Sequence, residues 1–447
     1  MINQFKKYII NNNLIQPNGK VLLAISGGID SVIMLDLVSK TKINYAIAHC
    51  NFELRGEESD KDEEFVTQLA KKYNVKLFVN RCNANNYSKS KDLSIQESAR
   101  ELRYNWFNKV CLNNNFTNIA IAHNQDDNIE TFFINLFRGA GIKGLKSIPI
   151  KRYNIIRPLM FATRKQIVEY AKENNIEYRE DSSNSSDYYL RNNIRHHLIP
   201  KIKEISPGFA KAAQKSISNL SDADLLLQSV IDEKKSLLFV SDSKNNILIP
   251  INDLINLKPN NVWVFYLLKE FGFSREKSDA ICLLLQNKND NIGKRFSSPD
   301  HELLIDRNNL IIRKTIIKQS STKVQISVNQ HQLEVPISMT MESQKNTPKF
   351  TFSRSNNIAY FNLDKLAFPL TIRPWQVGDR IIPFGMNGSK LVSDILIDNK
   401  VNSFEKENTY VLLSGKKIIW VVGHRTSNEF RIKKSTKDIY VVSLADG

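Results

Sequence analysis

The sequence has few cysteines and no paired ones, which excludes several classes of metal and redox protein. Its 447 residues contain four cysteines, none of them in a C-x-x-C pair: Cys50, Cys82, Cys111 and Cys282. Zinc ribbons, iron–sulfur clusters and dithiol redox centres all need cysteines at short spacings. We therefore expect none of these sites in the protein.

Long hydrophobic runs are missing as well. No segment approaches the roughly 20 apolar residues that a membrane-spanning helix needs. The apolar stretch after Lys6 and Lys7 is interrupted by Asn11, Asn12 and Asn13, so it lacks the hydrophobic core of a signal peptide. We predict a cytoplasmic protein that does not associate with membranes.

The sequence has fewer acidic than basic residues, and this excess of positive charge indicates which class of molecule the protein binds. Lys and Arg total 63 against 46 Asp and Glu, giving a formal net charge of +17. Because neutralising phosphates releases condensed counterions, this excess favours a nucleic acid as the partner. The alternative is a basic surface that serves only solubility.

Hydrophobic patterns in the first part of the chain predict an α/β fold. Short β-rich apolar runs alternate with amphipathic helical stretches, as in a parallel sheet with crossover helices. The predicted strands are residues 21–25, 45–48, 75–79 and 119–122. Residues 31–38 are predicted to form a crossover helix. Ser59 is predicted to cap a later helix, because acidic residues crowd the turn that follows it.

The rest of the chain predicts two further domains, in line with roughly three folding units of about 150 residues each. Helical periodicity replaces strand signals from residue 188 onward, and we predict a mostly helical middle domain at residues 216–330. Residues 315–349 are polar and weakly β in character, and we interpret them as a connection. A small β-rich domain is predicted at residues 345–447, which leaves residues 1–215 for the α/β domain.

The strongest local signal is the sequence Ser26-Gly27-Gly28-Ile29-Asp30-Ser31, between a predicted buried strand and a predicted helix. Two glycines allow the backbone to approach a phosphate, and the helix start directs free N–H groups at it. Asp30 could hold Mg²⁺ against phosphate oxygens. The alternative is an ordinary Gly-rich turn. A Walker A loop is excluded because no Gly-Lys-Ser or Gly-Lys-Thr ends the segment.

A second Gly-rich segment has the residues of the dinucleotide-binding pattern G-x-G-x-x-G but not its structural context. Residues 139–144 follow a helical run, whereas that pattern must follow a strand. We interpret Gly139 as part of the turn that ends the helix.

Charged residues near the predicted ends of strands add candidates for chemistry. Arg100 and Arg103 share one helix face, where they could bind phosphate or carboxylate, although exposed helix arginines often have no such role. Asp127 and Glu130 form a shared acidic face at the start of the helix after residues 119–122. The carboxyl edge of an α/β sheet is where ligands bind. His123 precedes this helix and is as readily interpreted as a structural residue.

Several long motifs together resemble those of the tRNA(Ile)-lysidine synthases. They are SGGIDS, LRGEESDKDEEFV, ESARELRY, AHNQDDNIETFFINLFRGAGIKGL and REDSSNSSDYYLRNNIRHHLIP, with a further match at RPWQVGDR. The SGGIDS segment also resembles the pyrophosphate-binding loop of the N-type ATP pyrophosphatases. The resemblance implies an enzyme that adenylates the wobble cytidine of the CAU-anticodon isoleucine tRNA. Free lysine then displaces AMP, which gives lysidine and a tRNA that reads AUA.

The resemblance also implies roles for individual residues. Residues 26–31 (Ser26, Gly27, Gly28, Ile29, Asp30 and Ser31) would bind ATP, with Asp30 also contacting Mg²⁺. Asp127 and Glu130 would bind lysine, and Arg103 would stabilise charge near the adenylate. The RNA contacts would be Arg191, Arg195, Arg373, Arg380 and Lys390, with Tyr188 and Tyr189 beside the first two. The middle and C-terminal domains would contact tRNA. A basic amphipathic helix is the alternative for the segment around Arg191.

Three other functions fit parts of the pattern. A tRNA thiolase on the same fold normally needs reactive or cluster-bearing cysteines. A glutamine-dependent synthetase would need an amidotransferase cysteine, which is not evident. A non-catalytic RNA-binding protein could keep the Gly-rich loop only as scaffold, but the acidic pair and Arg103 argue against it.

Overall fold

The computed structural model describes residues 1–54, 56–180, 190–287, 291–315, 323–348 and 350–445. These residues fold into two units, Met1–Ser229 and Val230–Gly447. Among the helices in these ranges, none combines the length and hydrophobicity needed to cross a membrane. Tyr188 and Tyr189, which were predicted to lie beside an RNA contact, fall outside the described residues.

A six-stranded sheet forms the centre of the first unit. Its strands are β1 (Lys20–Ala24), β2 (Asn44–Asn51), β3 (Leu77–Arg81), β4 (Asn118–Ala120), β5 (Lys151–Arg152) and β6 (Ile155–Ile156). Their order in the sheet is β3-β2-β1-β4-β6-β5, and every pairing is parallel except that of β5 with β6. The predicted parallel α/β sheet is confirmed, with the four predicted strands present at shifted ends.

Helices cover both faces of this sheet. They are α1 (Ile2–Asn11), α2 (Ile29–Ser39), α3 (Glu57–Lys72), α4 (Ala84–Lys91), α5 (Ile95–Asn114), α6 (Gln125–Phe137), α7 (Ile142–Leu145) and α8 (Arg164–Glu173). α1, α2 and α8 contribute to one hydrophobic cluster, whereas Phe107 and Val110 of α5 belong to a cluster on the other face. α2 is apolar on nearly every side, and nine of its residues are buried.

The start of α3 differs from the prediction. The helix begins at Glu57 with Gly56 as its N-cap, so the prediction that Ser59 caps it is wrong. Gly56 has a φ of +53°, which glycine adopts at low cost. The chain therefore turns into the helix at Gly56, three residues before Ser59. Glu57, Glu58 and Asp60 still place negative charge in the first turn, as the helix dipole favours.

The second Gly-rich segment is a helix end, as predicted. α6 ends at Phe137, and Gly139 follows with a φ of +67°. The N–H of Gly139 donates to the carbonyl of Leu136, which closes the final turn. Gly141 then precedes the short α7. No strand leads into the segment, so it is not a dinucleotide-binding turn.

Helices follow from residue 190 onward, as predicted. They are α9 (Leu190–Asn193), α10 (Ile199–Ile205) and α11 (Phe209–Leu238), with a π-helical turn at Ile194–Leu198 between the first two. Ile194 and Ile199 pack with Ile129 and Phe133 of α6 in one hydrophobic cluster. This packing fixes the polar side chains of the π-helical turn beside the start of α6.

The second unit begins with a sheet that the sequence analysis did not predict. Three helices are present, as expected for this part of the chain: α12 (Ile251–Asn256), α13 (Asn260–Leu268) and α14 (Arg275–Gln286). They pack on the antiparallel strands β7 (Val240–Ser241), β8 (Ile247–Pro250), β9 (Arg295–Ser297), β10 (His301–Asp306) and β11 (Asn309–Lys314), in the order β7-β8-β11-β10-β9.

The end of the chain is β-rich, as predicted. Its strands are β12 (Val324–Ile326), β13 (Gln332–Leu333), β14 (Met339–Lys345), β15 (Ile358–Asn362), β16 (Leu370–Pro374), β17 (Arg380–Ile381), β18 (Lys390–Leu391), β19 (Tyr410–Ser414), β20 (Lys417–Val421), β21 (Arg425–Thr426) and β22 (Asp438–Leu444). They form sheets in the orders β12-β16-β19-β20-β21 and β13-β14-β22-β15, and a β17-β18 ribbon. Two short helices, α15 (Val392–Asp398) and α16 (Ser403–Glu407), complete the region.

The interpretation of residues 315–349 as a connection is wrong, because their described part contains β12, β13 and β14. β12 pairs with β16, and β14 pairs with β22 along its whole length. Met339 and Met341 are buried in the core of the C-terminal sheets. The polar residues on the outer face of β14 hid a strand whose other face is apolar and buried.

Candidate active site

The Gly-rich loop is the turn between β1 and α2. Gly27 has a φ of +95°, a conformation that L side chains rarely adopt, and Gly28 is the N-cap of α2. The Ser31 hydroxyl donates to the carbonyl of Gly28 at 2.8 Å and accepts from the N–H of Ser26 at 3.2 Å. The loop is thus braced internally at a helix N-terminus, where the free N–H groups favour an anion.

Asp30 links this loop to the neighbouring helix. The Asn124 side-chain amide donates to Asp30 Oδ1 at 3.0 Å, and the Arg164 guanidinium pairs with Asp30 Oδ2. Burial raises the pKa of the Asp30 carboxyl, and the nearby charge of Asp127 raises it further, while Arg164 and the hydrogen bond from Asn124 oppose the shift.

Asn124 and Asp127 form a capping box at the start of α6. The Asp127 N–H donates to Asn124 Oδ1 at 3.1 Å, and the Asn124 N–H donates to Asp127 Oδ2 at 2.9 Å. The two side chains satisfy each other's backbone donors, which fixes both at the carboxyl edge of the sheet. Asn124 therefore contacts both Asp30 of the loop and the first acid of the predicted pair.

The predicted acidic pair is brought together and is occupied by two arginines. Arg191 donates to Glu130 Oε2 at 2.7 Å and to Asp127 Oδ1 at 3.0 Å. Arg195 donates to Glu130 Oε1 at 2.6 Å and lies 3.4 Å from Asp127 Oδ1. Glu130 is only 1% exposed, and the two guanidiniums supply the opposite charge beside this buried carboxylate. Two carboxylates and two guanidiniums make this cluster neutral.

The π-helical turn supplies one of these arginines. Arg191 belongs to α9 and Arg195 to the π-helical turn, and both reach the same two carboxylates. π-helical turns are rare and occur often at functional sites. Burial lowers the pKa of Arg195, but its contacts with Glu130 and Asp127 outweigh that effect and raise it overall.

His123 follows β4 and is held neutral. Arg157, which is 4% exposed, donates from Nε to His123 Nδ1 at 3.0 Å, so this ring nitrogen accepts and carries no proton. Burial lowers the pKa of His123 to about 3, together with the charges of four arginines on α5, α9 and the segment after β6: Arg157, Arg191, Arg100 and Arg103. The site is strongly positive beside His123.

Arg103 lies exposed on α5 with its guanidinium 5.1 Å from the centre of the Phe52 ring. Its charge lowers the pKa of both His49 and His123, which places it near the ends of β2 and β4. His49 is buried and its Nδ1 lies 2.9 Å from the carbonyl of Ile25. Arg103 is therefore a cation near the ends of these two strands, and its role at the adenylate stays a prediction.

The predicted RNA contacts of the C-terminal part differ in availability. Arg373 forms two hydrogen bonds to Asp379, at 2.7 and 2.8 Å, so its guanidinium supports the local fold. Lys390 pairs with Asp398. Arg380 contacts Ser389 Oγ at 2.8 Å and is exposed. Of the three, Arg380 has the guanidinium most available for a phosphate.

Three residues of the site were missed by the sequence analysis. The spacing of Asn124 to Asp127 is that of a capping box, so the sequence could have identified Asn124 as an N-cap. Arg164 is the first residue of α8, directly after the N-cap Thr163. Neither pattern reveals a contact with Asp30, which is distant in sequence. Arg157 gave no local signal, since only the folded sheet brings it to His123.

Three family models match the chain in order along its length. Residues 1–202 match a PP-loop domain, residues 242–316 a TilS substrate binding domain, and residues 370–443 a TilS substrate C-terminal domain. The Gly-rich loop and the acidic pair both lie within the first match.

Among solved structures, the U34-tRNA thiolase NcsA from Methanococcus maripaludis shares 17% identity with a TM-score of 0.41, over 49% of this chain and 78% of that one. A TilS C-terminal domain shares 18% identity with a TM-score of 0.25, over 28% of this chain and 100% of that one. These two structural likenesses are too weak to carry an argument.

Similar sequences extend over the whole chain. A tRNA(Ile)-lysidine synthase from Parabacteroides distasonis is 37% identical over 447 residues, which cover 99% of this chain and 100% of that protein. One from Bacteroides thetaiotaomicron is 36% identical over 438 residues, or 98% of each chain. Identity of this extent leaves no domain of the relatives unmatched, and the chain belongs to the tRNA(Ile)-lysidine synthase family.

Proposed function

We propose that this protein ligates free lysine to the wobble cytidine of the CAU-anticodon isoleucine tRNA in the cytoplasm, using ATP and releasing AMP and diphosphate. The observation that carries the proposal is the contact made by Asn124. Its side chain joins Asp30 of the phosphate-binding loop to Asp127 of the acidic pair through direct hydrogen bonds. An ATP site and an amine site are thereby held at one edge of the sheet.

The first step is adenylation of the cytidine 2-carbonyl oxygen. That oxygen attacks the α-phosphorus of ATP, the bond to the β-phosphate breaks, and diphosphate leaves. The loop at residues 26–31 binds the leaving diphosphate through the N–H groups at the start of α2. Arg103 stabilises the negative charge that develops on the α-phosphate. No protein nucleophile is required, because such a transfer depends mainly on positioning and charge neutralisation.

The side chains fit a magnesium ion bound chiefly by substrate phosphates. No group of three or more metal-binding side chains occurs in the described part of the chain, whereas Asp30 provides one carboxylate beside the loop. Mg²⁺ commonly takes one or two protein carboxylates and completes its shell with phosphate oxygens and water. When bound, the ion neutralises charge on the leaving diphosphate. Asp30 would exchange its contact with Arg164 for the ion.

The second step is attack by the lysine side-chain amine on the activated carbon, with loss of AMP. Free lysine has both cationic and anionic groups, so a cluster of two carboxylates and two guanidiniums is complementary to it. We assign the ammonium to Asp127 and Glu130, and the lysine carboxylate to Arg191 or Arg195 after it turns from its present partner. The attacking amine must be uncharged, which requires that the other amine alone binds the acids.

The thiols argue against the nearest rival, a tRNA thiolase. All four cysteines are free, and burial raises the pKa of each, to about 12 for Cys50 and about 11 for Cys111. Thiolate is the reactive form of cysteine, so thiols with raised pKa values are poor sulfur carriers.

The decisive test is to incubate the protein with ATP, labelled lysine and total tRNA, digest the RNA and identify the labelled nucleoside. We expect label in a lysidine nucleoside together with equimolar AMP and diphosphate. Asp30→Ala should abolish all three products while leaving tRNA affinity nearly intact, because RNA contacts lie elsewhere. Unlabelled RNA from the wild-type reaction would reject the proposed function, and normal product formation by the variant would remove Asp30 from the site.

A further inference from the structure

A cleft in the second unit combines basic and aromatic side chains. Its volume is about 710 Å³, and it is bounded by residues 352–360 and 424–434 together with Phe384. This volume is in the range of pockets that enclose small ligands, about 300–1,000 Å³. The cleft lies wholly within Val230–Gly447 and contains none of the RNA contacts predicted from the sequence.

The charged side chains that line the cleft are all basic: Arg354, Arg425, Arg431, Lys433 and Lys434. All five are exposed, and none of them forms a salt bridge with another described residue. Other cations named above, such as Arg373 and Lys390, are neutralised by nearby carboxylates. Five cations with no acidic partner among the described residues, all around one cavity, favour a ligand that carries several negative charges.

Aromatic rings provide the second component. Phe352 and Phe384 remain 53% and 56% exposed. Phe352 packs against two other rings: its ring centre lies 5.0 Å from that of Phe350 and 5.2 Å from that of Tyr360. The Tyr360 hydroxyl accepts from the N–H of Ser353 at 2.9 Å, which fixes this segment of the cleft wall. An exposed ring held in a fixed position is suited to stacking on a planar group.

We propose that this cleft binds an unpaired nucleotide of the tRNA substrate, with the base stacked on Phe352 and the phosphates among the five cations. This inference rests on the proposed function for the identity of the RNA. Unpaired bases are recognised by stacking on aromatic side chains beside a basic groove, whereas the bases of a duplex are not available to stack. An acidic peptide would use the cations and would leave the exposed rings without a partner.

The test measures binding of the full-length protein to the CAU-anticodon isoleucine tRNA, to a short single-stranded RNA and to an RNA duplex of equal charge. Phe352→Leu keeps the apolar volume and removes the ring, and we expect it to weaken single-strand binding roughly tenfold with little effect on the duplex. Phe352→Tyr should restore the affinity. Arg425→Ala should weaken binding of both RNAs, and Lys416→Ala, which removes an exposed cation outside the cleft, should change neither.

A competition arm separates nucleotide binding from general anion binding. Poly-glutamate matched in charge should displace the single-stranded RNA poorly from the wild type. Equal competition by poly-glutamate, or unchanged single-strand affinity in Phe352→Leu, would overturn the proposal. ATP-dependent lysine incorporation, measured on the same preparations, is a separate readout. If incorporation fails in the wild type, the proposed function fails, whatever the binding results show.

Discussion

At the scale of single residues, the acidic pair is the most direct test of substrate choice. Asp127→Asn and Glu130→Gln keep the shape of each side chain and remove its charge. Losing a charge-assisted hydrogen bond to an ammonium costs about 1.5–3 kcal/mol, so we expect the KM for lysine to rise roughly 10- to 100-fold. Adenylation does not involve lysine, so diphosphate release in single-turnover reactions should change much less.

Glu169→Gln provides the matched control for the acid-pair variants, because it makes the same change of charge on an exposed face of α8. Thermal melting of all three variants checks that the arginines left without partners have not unfolded the site. Normal lysine dependence in both acid-pair variants would show that these carboxylates only cap α6 and neutralise Arg191 and Arg195.

His123 predicts how stability depends on pH. Its folded pKa is lowered from 6.5 to about 3, so the unfolded chain takes up a proton below pH 6.5 while the folded protein does not. The contribution of His123 to stability is therefore complete above pH 6.5 and is lost progressively as the pH falls toward 3. His123→Asn keeps an acceptor for Arg157 and cannot titrate. Its unfolding free energy should fall less steeply over this range, by at most about 1.4 kcal/mol per pH unit.

Urea unfolding at several pH values measures this difference, and a parallel decline in wild type and variant would contradict it. The histidine itself was visible in the sequence, but its protonation state was not. The state depends on Arg157 and on arginines from α5 and α9, which only the tertiary structure brings together.

At the scale of elements, we predict that Asn124 at the start of α6 contributes to both stability and catalysis. Asn124→Ala removes a helix cap and should destabilise the protein by about 1 kcal/mol. Asn124→Ser retains a capping oxygen but cannot donate an amide N–H to Asp30. We expect Ser to preserve the melting temperature while still lowering the rate of AMP formation, since Asp30 loses one of its two partners. Wild-type rates in Asn124→Ser would show that the contact with Asp30 has no part in catalysis.

The elements also show how far the sequence could be interpreted. The strands of the parallel sheet are continuous apolar runs, because helices cover both faces, and this pattern was clear for β1. The middle sheet was missed because β7 and β9 are too short to show a pattern, and the longer β10 and β11 have continuous buried runs that do not alternate. At the site, the sequence analysis identified the Gly-rich loop and the acidic pair because each is a contiguous motif. It did not identify the contacts between segments that are distant in sequence.

At the scale of the whole molecule, one arginine joins two parts of the second unit. Arg313 of β11 is 8% exposed, and its guanidinium lies 3.7 Å from the centre of the Phe404 ring. It also pairs with Glu302 at 2.7 Å and with Glu407 at 2.5 Å. The residues that match the TilS substrate binding domain are thus attached to α16 within the TilS C-terminal match.

Arg313→Ala should therefore destabilise the second unit by roughly 1.5–3 kcal/mol, because it removes charge-assisted hydrogen bonds to Glu302 and Glu407. These carboxylates are partly exposed, and Glu407 keeps Arg295 as a partner. Arg307→Ala is the matched control, since Arg307 is a neighbouring but more exposed arginine that also contacts the other module, through the carbonyl of Lys400. Denaturant unfolding should show a much larger loss for Arg313→Ala. Equal, small losses would mean that Arg313 contributes little to holding the two modules together.

If the acidic pair binds lysine as we propose, Arg191 and Arg195 are competitors of the substrate that are attached to the same chain. A group attached to the same chain can act at an effective concentration in the millimolar range. Because Arg191 and Arg195 already neutralise Asp127 and Glu130, free lysine gains a place only when its own pool is large enough to displace them. On this proposal the internal ion pairs raise the lysine concentration that gives half-maximal rate, so the rate at which AUA-reading tRNA matures would follow the lysine supply of the cell.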